Sequence, residues 1–143
     1  MRVLLDTNVV LDVLLNHQPW VKEATAIWQA NDEGQITGYI VASTLTDIFY
    51  IARRLTNLET ANKAILLCLE AFEICAVDRN VLERAVTLPG VDFEDNLQIA
   101  CAQTTPVDAI ITRNSNDFKT APILVLTPAE LVAQLGEHLS RKD

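Results

Sequence analysis

The feature that most constrains this chain is the alternation of two apolar rhythms along it. Short apolar runs at residues 3–5 (VLL), 36–42 (ITGYIVA), 73–77 (EICAV), 108–112 (DAIIT) and 123–126 (ILVL) are separated by longer stretches whose apolar residues recur at helical spacing. A short run of this kind, bounded by polar residues, fits a strand buried on both faces, the environment of a parallel sheet. Parallel neighbours need a long crossover between them, and the helical stretches supply it. The expected fold is α/β: a mainly parallel sheet of about five strands, covered by helices on both faces.

In such a sheet, right-handed crossovers bring the carboxyl ends of the strands to one edge, and ligands sit just beyond them. The first run stops at Asp6-Thr7-Asn8, and a helical pattern begins at Val9. Asp6 suits a helix N-cap and suits a site in that crevice, and this fragment alone does not choose between them. The rest of the chain adds three acids. Asp47 lies in the first turns of the helix after the second run, and the helix dipole alone favours an anion there. Asp117 belongs to the polar loop RNSNDF after the fourth run. Asp95 lies near the start of the preceding helix, opposite its apolar stripe. Carboxylates that converge raise one another's pKa values. A hard divalent cation such as Mg²⁺ or Mn²⁺ removes that conflict and can activate water for in-line displacement at phosphorus.

The bulk properties narrow the class. A chain of 143 residues, half of them hydrophobic, is expected to form one domain over 1–143 with a substantial core. Eleven Lys and Arg against nineteen Asp and Glu give a net charge of −8. That argues against a passive nucleic-acid binder, and it leaves room for a nuclease whose excess acids hold metal. Cys68, Cys75 and Cys101 form no CxxC pair and read as buried thiols of a reducing compartment. Asp6 interrupts the first apolar stretch too early for a signal peptide, and no run approaches the ~20 residues of a membrane helix, so a cytoplasmic protein is expected. His17 and His138 suggest no nucleophilic triad, and neither GxGxxG nor GxxxxGK[ST] occurs.

The helical stretches carry further expectations. In VVLDVLL, Asp12 is expected to face solvent. Pro19 suits a first helical turn, followed by a core-facing stripe of Trp20, Ala24, Ile27 and Trp28; the two tryptophans also leave a homodimer surface open. Ser43 is expected to cap a helix that buries Leu45, Ile48, Ala52 and Leu55, with Arg53 and Arg54 on its solvated face. The helix over 59–71 is expected to bury Ile65, Leu66 and Leu69. Asp78 is read as the cap of a helix burying Val81, Leu82 and Ala85. Asp92 is read as the cap of one burying Phe93, Leu97, Ala100 and Cys101. Thr127 and Pro128 open the last helix, and the polar end 140–143 is expected to fray.

Four segments then carry a resemblance: VLLDTN at 3–8, STLTD at 43–47, DFEDNLQIACA at 92–102 and DAIITRNSNDF at 108–118. In this order and spacing they resemble the PIN-domain family, most of all the VapC-like toxin ribonucleases of bacterial toxin–antitoxin systems. The resemblance covers nearly the whole chain. It implies a three-layer α/β/α sandwich with an acidic Mg²⁺ or Mn²⁺ site, an endoribonuclease activity on RNA, and an antitoxin protein as partner. By position, Asp6, Asp95 and Asp117 match the family's metal-holding acids. Asp47 stands where a Glu is more usual, and its shorter side chain is expected to reach metal through a water. Asn8 and Thr112 match residues that orient the acids. Arg113 is either a phosphate contact or a solvated loop arginine. Asp92 and Asp108 stay as capping or surface residues, with Asp92 the first substitute for Asp95. The competing reading is a catalytically inactive PIN-like module that binds protein or RNA. Receiver domains want an acidic pair at the first strand, and haloacid dehalogenase phosphatases want DxD there; DTN supplies neither.

Overall fold

The computed structural model describes residues 1–142, with side chains to residue 137. Five strands, β1 (Arg2–Leu5), β2 (Thr37–Val41), β3 (Glu73–Cys75), β4 (Ala109–Ile111) and β5 (Leu124–Leu126), form one sheet in the order β3-β2-β1-β4-β5. Every pairing is parallel, so the α/β expectation holds. The helices are α1 (Thr7–Leu14), α2 (Val21–Asp32), α3 (Ala42–Leu55), α4 (Leu58–Ala71), α5 (Arg79–Thr87), α6 (Phe93–Thr104) and α7 (Pro128–Lys142), with a 3-10 turn at Ser115–Phe118. The side chains of residues 138–142, His138 included, and all of Asp143 lie outside the described residues; α7 itself continues through residues 140–142, part of the end expected to fray.

The sheet splits the interior by strand alternation. Val3, Leu5, Ile40, Ala109 and Ile111 face a core shared with α1, α2, α3, α4 and α7. Leu4, Val41, Cys75 and Ile110 face a second core closed by α5, α6 and Phe118. These two cores make the three layers. β1 is central: the chain leaves it for β2 on one side and later returns as β4 on the other. That reversal puts a crevice beyond the carboxyl ends of β1 and β4, the usual ligand position in such sheets.

Local chemistry explains most element boundaries. Asp78 accepts from the Val81 N–H at 3.0 Å and caps α5. Asp92 accepts from the Asp95 N–H at 3.0 Å and caps α6. Thr127 and Glu130 close a reciprocal capping box on α7, at 3.2 and 3.0 Å. The close pairing of β2 with the rest of the fold needs Gly38. A Cβ there would come within 2.8 Å of the Phe72 ring, and its N–H donates to Asn31 Oδ1 at 2.8 Å. All three cysteines are free and buried, and burial pushes the Cys68 and Cys101 thiols up to about 12. Among the described residues, no helix is long and apolar enough to cross a membrane.

Several expectations are corrected. Asp12 is fully buried, because Arg113 and His17 both reach its carboxylate. Trp20 is 44% exposed and precedes α2; its ring carries the Arg113 guanidinium 3.9 Å from the centroid. Pro19 accordingly lies before the helix rather than in its first turn. Trp28 does pack inward, edge-on to Phe72 at 4.7 Å. α3 starts directly from the extended Val41, so Ser43 falls inside the first turn and does not cap. α4 buries Ala61, Ala64 and Cys68, and leaves Leu66 and Leu69 exposed. Small residues let α4 lie closely against its neighbours, which larger side chains at those positions would prevent. Leu55, Leu82 and Phe93, each a member of an expected stripe, are likewise exposed.

Candidate active site

The site is built outward from Asp6. It sits at the carboxyl end of β1, in the N-cap position of α1, with extended backbone angles (φ −64°, ψ 150°). Its carboxylate makes no cap hydrogen bond. Instead the Thr112 hydroxyl donates to Oδ2 at 2.7 Å, and the Gln98 amide donates to Oδ1 at 2.9 Å. Thr112, fully buried at the end of β4, also accepts the Asn114 N–H at 3.0 Å. One hydroxyl thus links the first strand's acid to the loop that carries Asp117. Asp6 thus occupies the cap position without capping, and its side chain bonds to Thr112 and Gln98 instead.

Asp6, Asn8, Asp47, Glu94, Asp95, Gln98, Asn114 and Asp117 line a cleft of about 300 Å³ beyond the strand ends, together with Thr7 and Ile51. None of these lining residues is Lys or Arg. The electrostatic consequence is visible at two of them. Asp95 is pushed up to about 6, first by desolvation and then by the charges of Asp92, Asp117, Asp6 and Glu94. Glu94 is also raised, by desolvation, by the facing Asp47 carboxyl through charge and hydrogen bonding, and by Asp92 and Asp6. Asp95 and Asp117 form a wall shared with a second hollow of about 490 Å³, where Lys119 joins the lining.

A family model described as PIN domain matches residues 2–116. The chain belongs to the PIN-domain family. No curated protein sequence matches this PIN domain. Among solved structures, it is similar to a toxin–antitoxin complex from Klebsiella pneumoniae, with 25% identity and a TM-score of 0.66, covering 88% of this chain and 97% of that one. It is also similar to VapBC2 from Rickettsia felis bound to a promoter DNA fragment (18% identity, TM-score 0.64, 88% and 97% covered). A third is Mycobacterium tuberculosis VapC20, described as a Sarcin-Ricin loop cleaving toxin (13% identity, TM-score 0.62, 76% and 86% covered).

Within this PIN domain, the acids singled out from sequence, Asp6, Asp47, Asp95 and Asp117, all line the one cleft, as does Asn8. Thr112 stands directly behind Asp6. Arg113 does not line the cleft. Its guanidinium makes two bonds to Asp12, at 2.8 and 3.2 Å, and lies over Trp20, so its charge is already matched. Asp92 remains a cap, and Asp108 accepts the Arg2 N–H at 2.8 Å, away from the cleft. Sequence reasoning missed Glu94, Gln98 and Asn114. The one signal for Gln98 is a polar residue three positions after Asp95, inside the apolar run of α6.

The family implies a divalent cation, and the donor set fits one. Every polar side chain in the cleft offers oxygen ligands, carboxylate, amide or hydroxyl, as Mg²⁺ and Mn²⁺ prefer. Among the described residues, no three His, Cys, Asp or Glu side chains are gathered tightly enough to enclose an ion by themselves. Mg²⁺ does not require such a cage, since it keeps several waters and takes one or two carboxylates. The buried Gln98 Oε1 has no hydrogen-bond partner, which leaves a neutral oxygen unused beside the acids.

Proposed function

We propose that this PIN domain is a metal-dependent endoribonuclease that hydrolyses RNA phosphodiester bonds, and that an antitoxin protein holds it in check. The observation that carries the reading is Asp6: a buried carboxylate at the central strand's end, freed from capping, gripped from behind by Thr112 and Gln98, and turned toward Asp47, Glu94, Asp95 and Asp117. A catalytically inert scaffold has no need to gather so many carboxylates, whose mutual repulsion opposes folding. A bound Mg²⁺ or Mn²⁺ would neutralise this charge, acidify water and stabilise charge developing at phosphorus.

The chain's own residues divide the remaining work. Asp6, Asp95 and Asp117 would hold the cation, and Asp47 and Glu94, which face each other, line the same cleft. Thr112 and Gln98 fix the Asp6 carboxylate, and Thr112 fixes Asn114 in turn. Asn8 lines the same cleft. The second hollow, with Asn116, Lys119 and Thr120, provides room for RNA adjoining the bond that is cut. Support for RNA as substrate comes from the VapC20 description, and support for a protein partner from the Klebsiella complex. An apolar hollow of about 580 Å³ between α3 and α4, flanked by Tyr50 and Leu66, each 62% exposed, suits such a partner or a second copy of the chain.

The test is an RNA cleavage assay with the purified chain in Mg²⁺, in Mn²⁺ and in excess EDTA, with the product ends analysed. Cleavage only with metal, leaving 5′-phosphate and 3′-hydroxyl ends, is expected. Full activity in EDTA, or 2′,3′-cyclic phosphate products, would overturn the mechanism. Absence of cleavage by a chain that binds no Mn²⁺ would favour the inactive binding module.

A further inference from the structure

Gln98 is the polar residue of the cleft that neither the sequence pattern nor the acids explain. It lies on α6 one turn after Asp95 and is only 6% exposed. Its Nε2 donates to Asp6 Oδ1 at 2.9 Å, while its Oε1 is buried without any partner. A buried amide oxygen left unpaired opposes folding, so an unused acceptor here calls for an occupant. The groups that share the cleft with it are mostly carboxylates, which accept rather than donate when ionised. What such a wall lacks is positive charge. An amide oxygen can serve a cation without adding a further like charge to the cluster.

We propose that Gln98 belongs to the cation site: its Nε2 positions Asp6, and its Oε1 supplies a neutral oxygen to the coordination shell of the divalent ion. This rests on the metal-dependent reading above and names a part of that site which the acid pattern does not contain. One side chain then does two jobs with its two ends. Its neighbours on α6, Leu97 and Ile99, are buried as well.

Two substitutions separate the two ends. Gln98→Leu removes both donor and oxygen at similar volume. Gln98→Glu keeps an oxygen and loses the donor to Asp6. Mn²⁺ is titrated by calorimetry into wild type and both variants, with melting in EDTA as the measure of folding. The expected result is Mn²⁺ affinity weakened ~10–100-fold in Gln98→Leu, the range seen when residues supporting a metal site are lost. Gln98→Glu is expected to bind within a few-fold of wild type or more tightly. Unchanged affinity in Gln98→Leu would overturn the proposal. Equal weakening in both variants would also overturn it, because only the hold on Asp6 would then matter. If Gln98→Leu fails to fold, Gln98→Glu decides alone: affinity within a few-fold of wild type or tighter supports the proposal, and weakening of about tenfold or more overturns it. Wild type that binds no Mn²⁺ would overturn the nuclease reading together with this one, whereas tight wild-type binding with an indifferent Leu variant would overturn this one only.

Discussion

Removing the Asp95 charge should stabilise the metal-free protein while it damages the site. Asp95 rises from the ordinary 3.8 to about 6, chiefly through desolvation and the charges of Asp92, Asp117, Asp6 and Glu94. Two pKa units correspond to about 3 kcal/mol as an upper bound at ~1.4 kcal/mol per unit. Asp95 is only half-buried, so solvent screening reduces this to roughly 1.5 kcal/mol. Its place in the first turn of α6 gives back roughly 0.5 kcal/mol through the helix dipole. Among the described residues its carboxylate accepts no hydrogen bond that an amide would forfeit. Asp95→Asn should therefore gain about 1 kcal/mol, or roughly 3 °C in melting temperature for a domain of this size. The pH dependence has a definite sign. The folded state holds the Asp95 proton more tightly than the unfolded state, so the penalty is absent below about 3.8, grows as pH rises, and is complete above about 6. The assay is thermal melting of wild type and Asp95→Asn in EDTA from pH 3.5 to 8. The curves should coincide at the acid end and separate toward neutrality, with the variant above. A variant that melts lower at pH 7.5, or a gap independent of pH, would refute the electrostatic argument. Asp6→Asn should not share the gain, because an amide oxygen can replace only one of the two carboxylate oxygens that accept from Gln98 Nε2 and Thr112 Oγ1.

Saturating Mn²⁺ should raise the wild-type melting temperature by mass action, worth ~2.7 kcal/mol at a hundred times Kd, and should shift Asp6→Asn by less than half as much in the same scan. Asp6→Asn, Asp95→Asn and Asp117→Asn should each lower RNA turnover ~10²-fold or more, measured as initial rates in Mn²⁺. Asp78→Asn should leave turnover within about twofold and lose at most ~1 kcal/mol in urea unfolding, since Asp78 only caps α5. Asp12→Ala should cost about 3 kcal/mol in urea unfolding by stranding Arg113 and His17; a loss under ~0.5 kcal/mol would show the buried pair to be incidental.

What was legible in the sequence was what neighbours in sequence decide. Strand runs and helix caps depend on a few adjacent residues, and Asp78, Asp92 and Thr127 could be read as caps directly. The acids Asp6, Asp47, Asp95 and Asp117 were legible as a group because parallel topology gathers strand ends at one edge. Asp12 was not legible, because the partner that allows its burial, Arg113, lies 101 residues away. Asp12 read as outward only because no local pattern could reveal that partner. The α4 stripe was misread because Leu66 and Leu69 outweigh Ala61 and Ala64 in hydrophobicity, while close helix packing selects for small size. Glu94 was passed over as an ordinary acid of a helix start, and Gln98 because an isolated amide in an apolar run carries no periodic signal.

The Asp6–Thr112 hydrogen bond spans 106 residues and the Asp6–Gln98 bond spans 92, and β1 needs β4 as its neighbour. Within this domain, β1 therefore waits for more than a hundred residues before its second flank, β4, is available. Such non-local closure is slow compared with helix formation. A nascent or prematurely terminated chain ending before Thr112 lacks the hydroxyl that orients Asp6, the strand beside it, and Asp117. Within this domain, the cleft around Asp6 is complete only when the residues through Asp117 have joined β1.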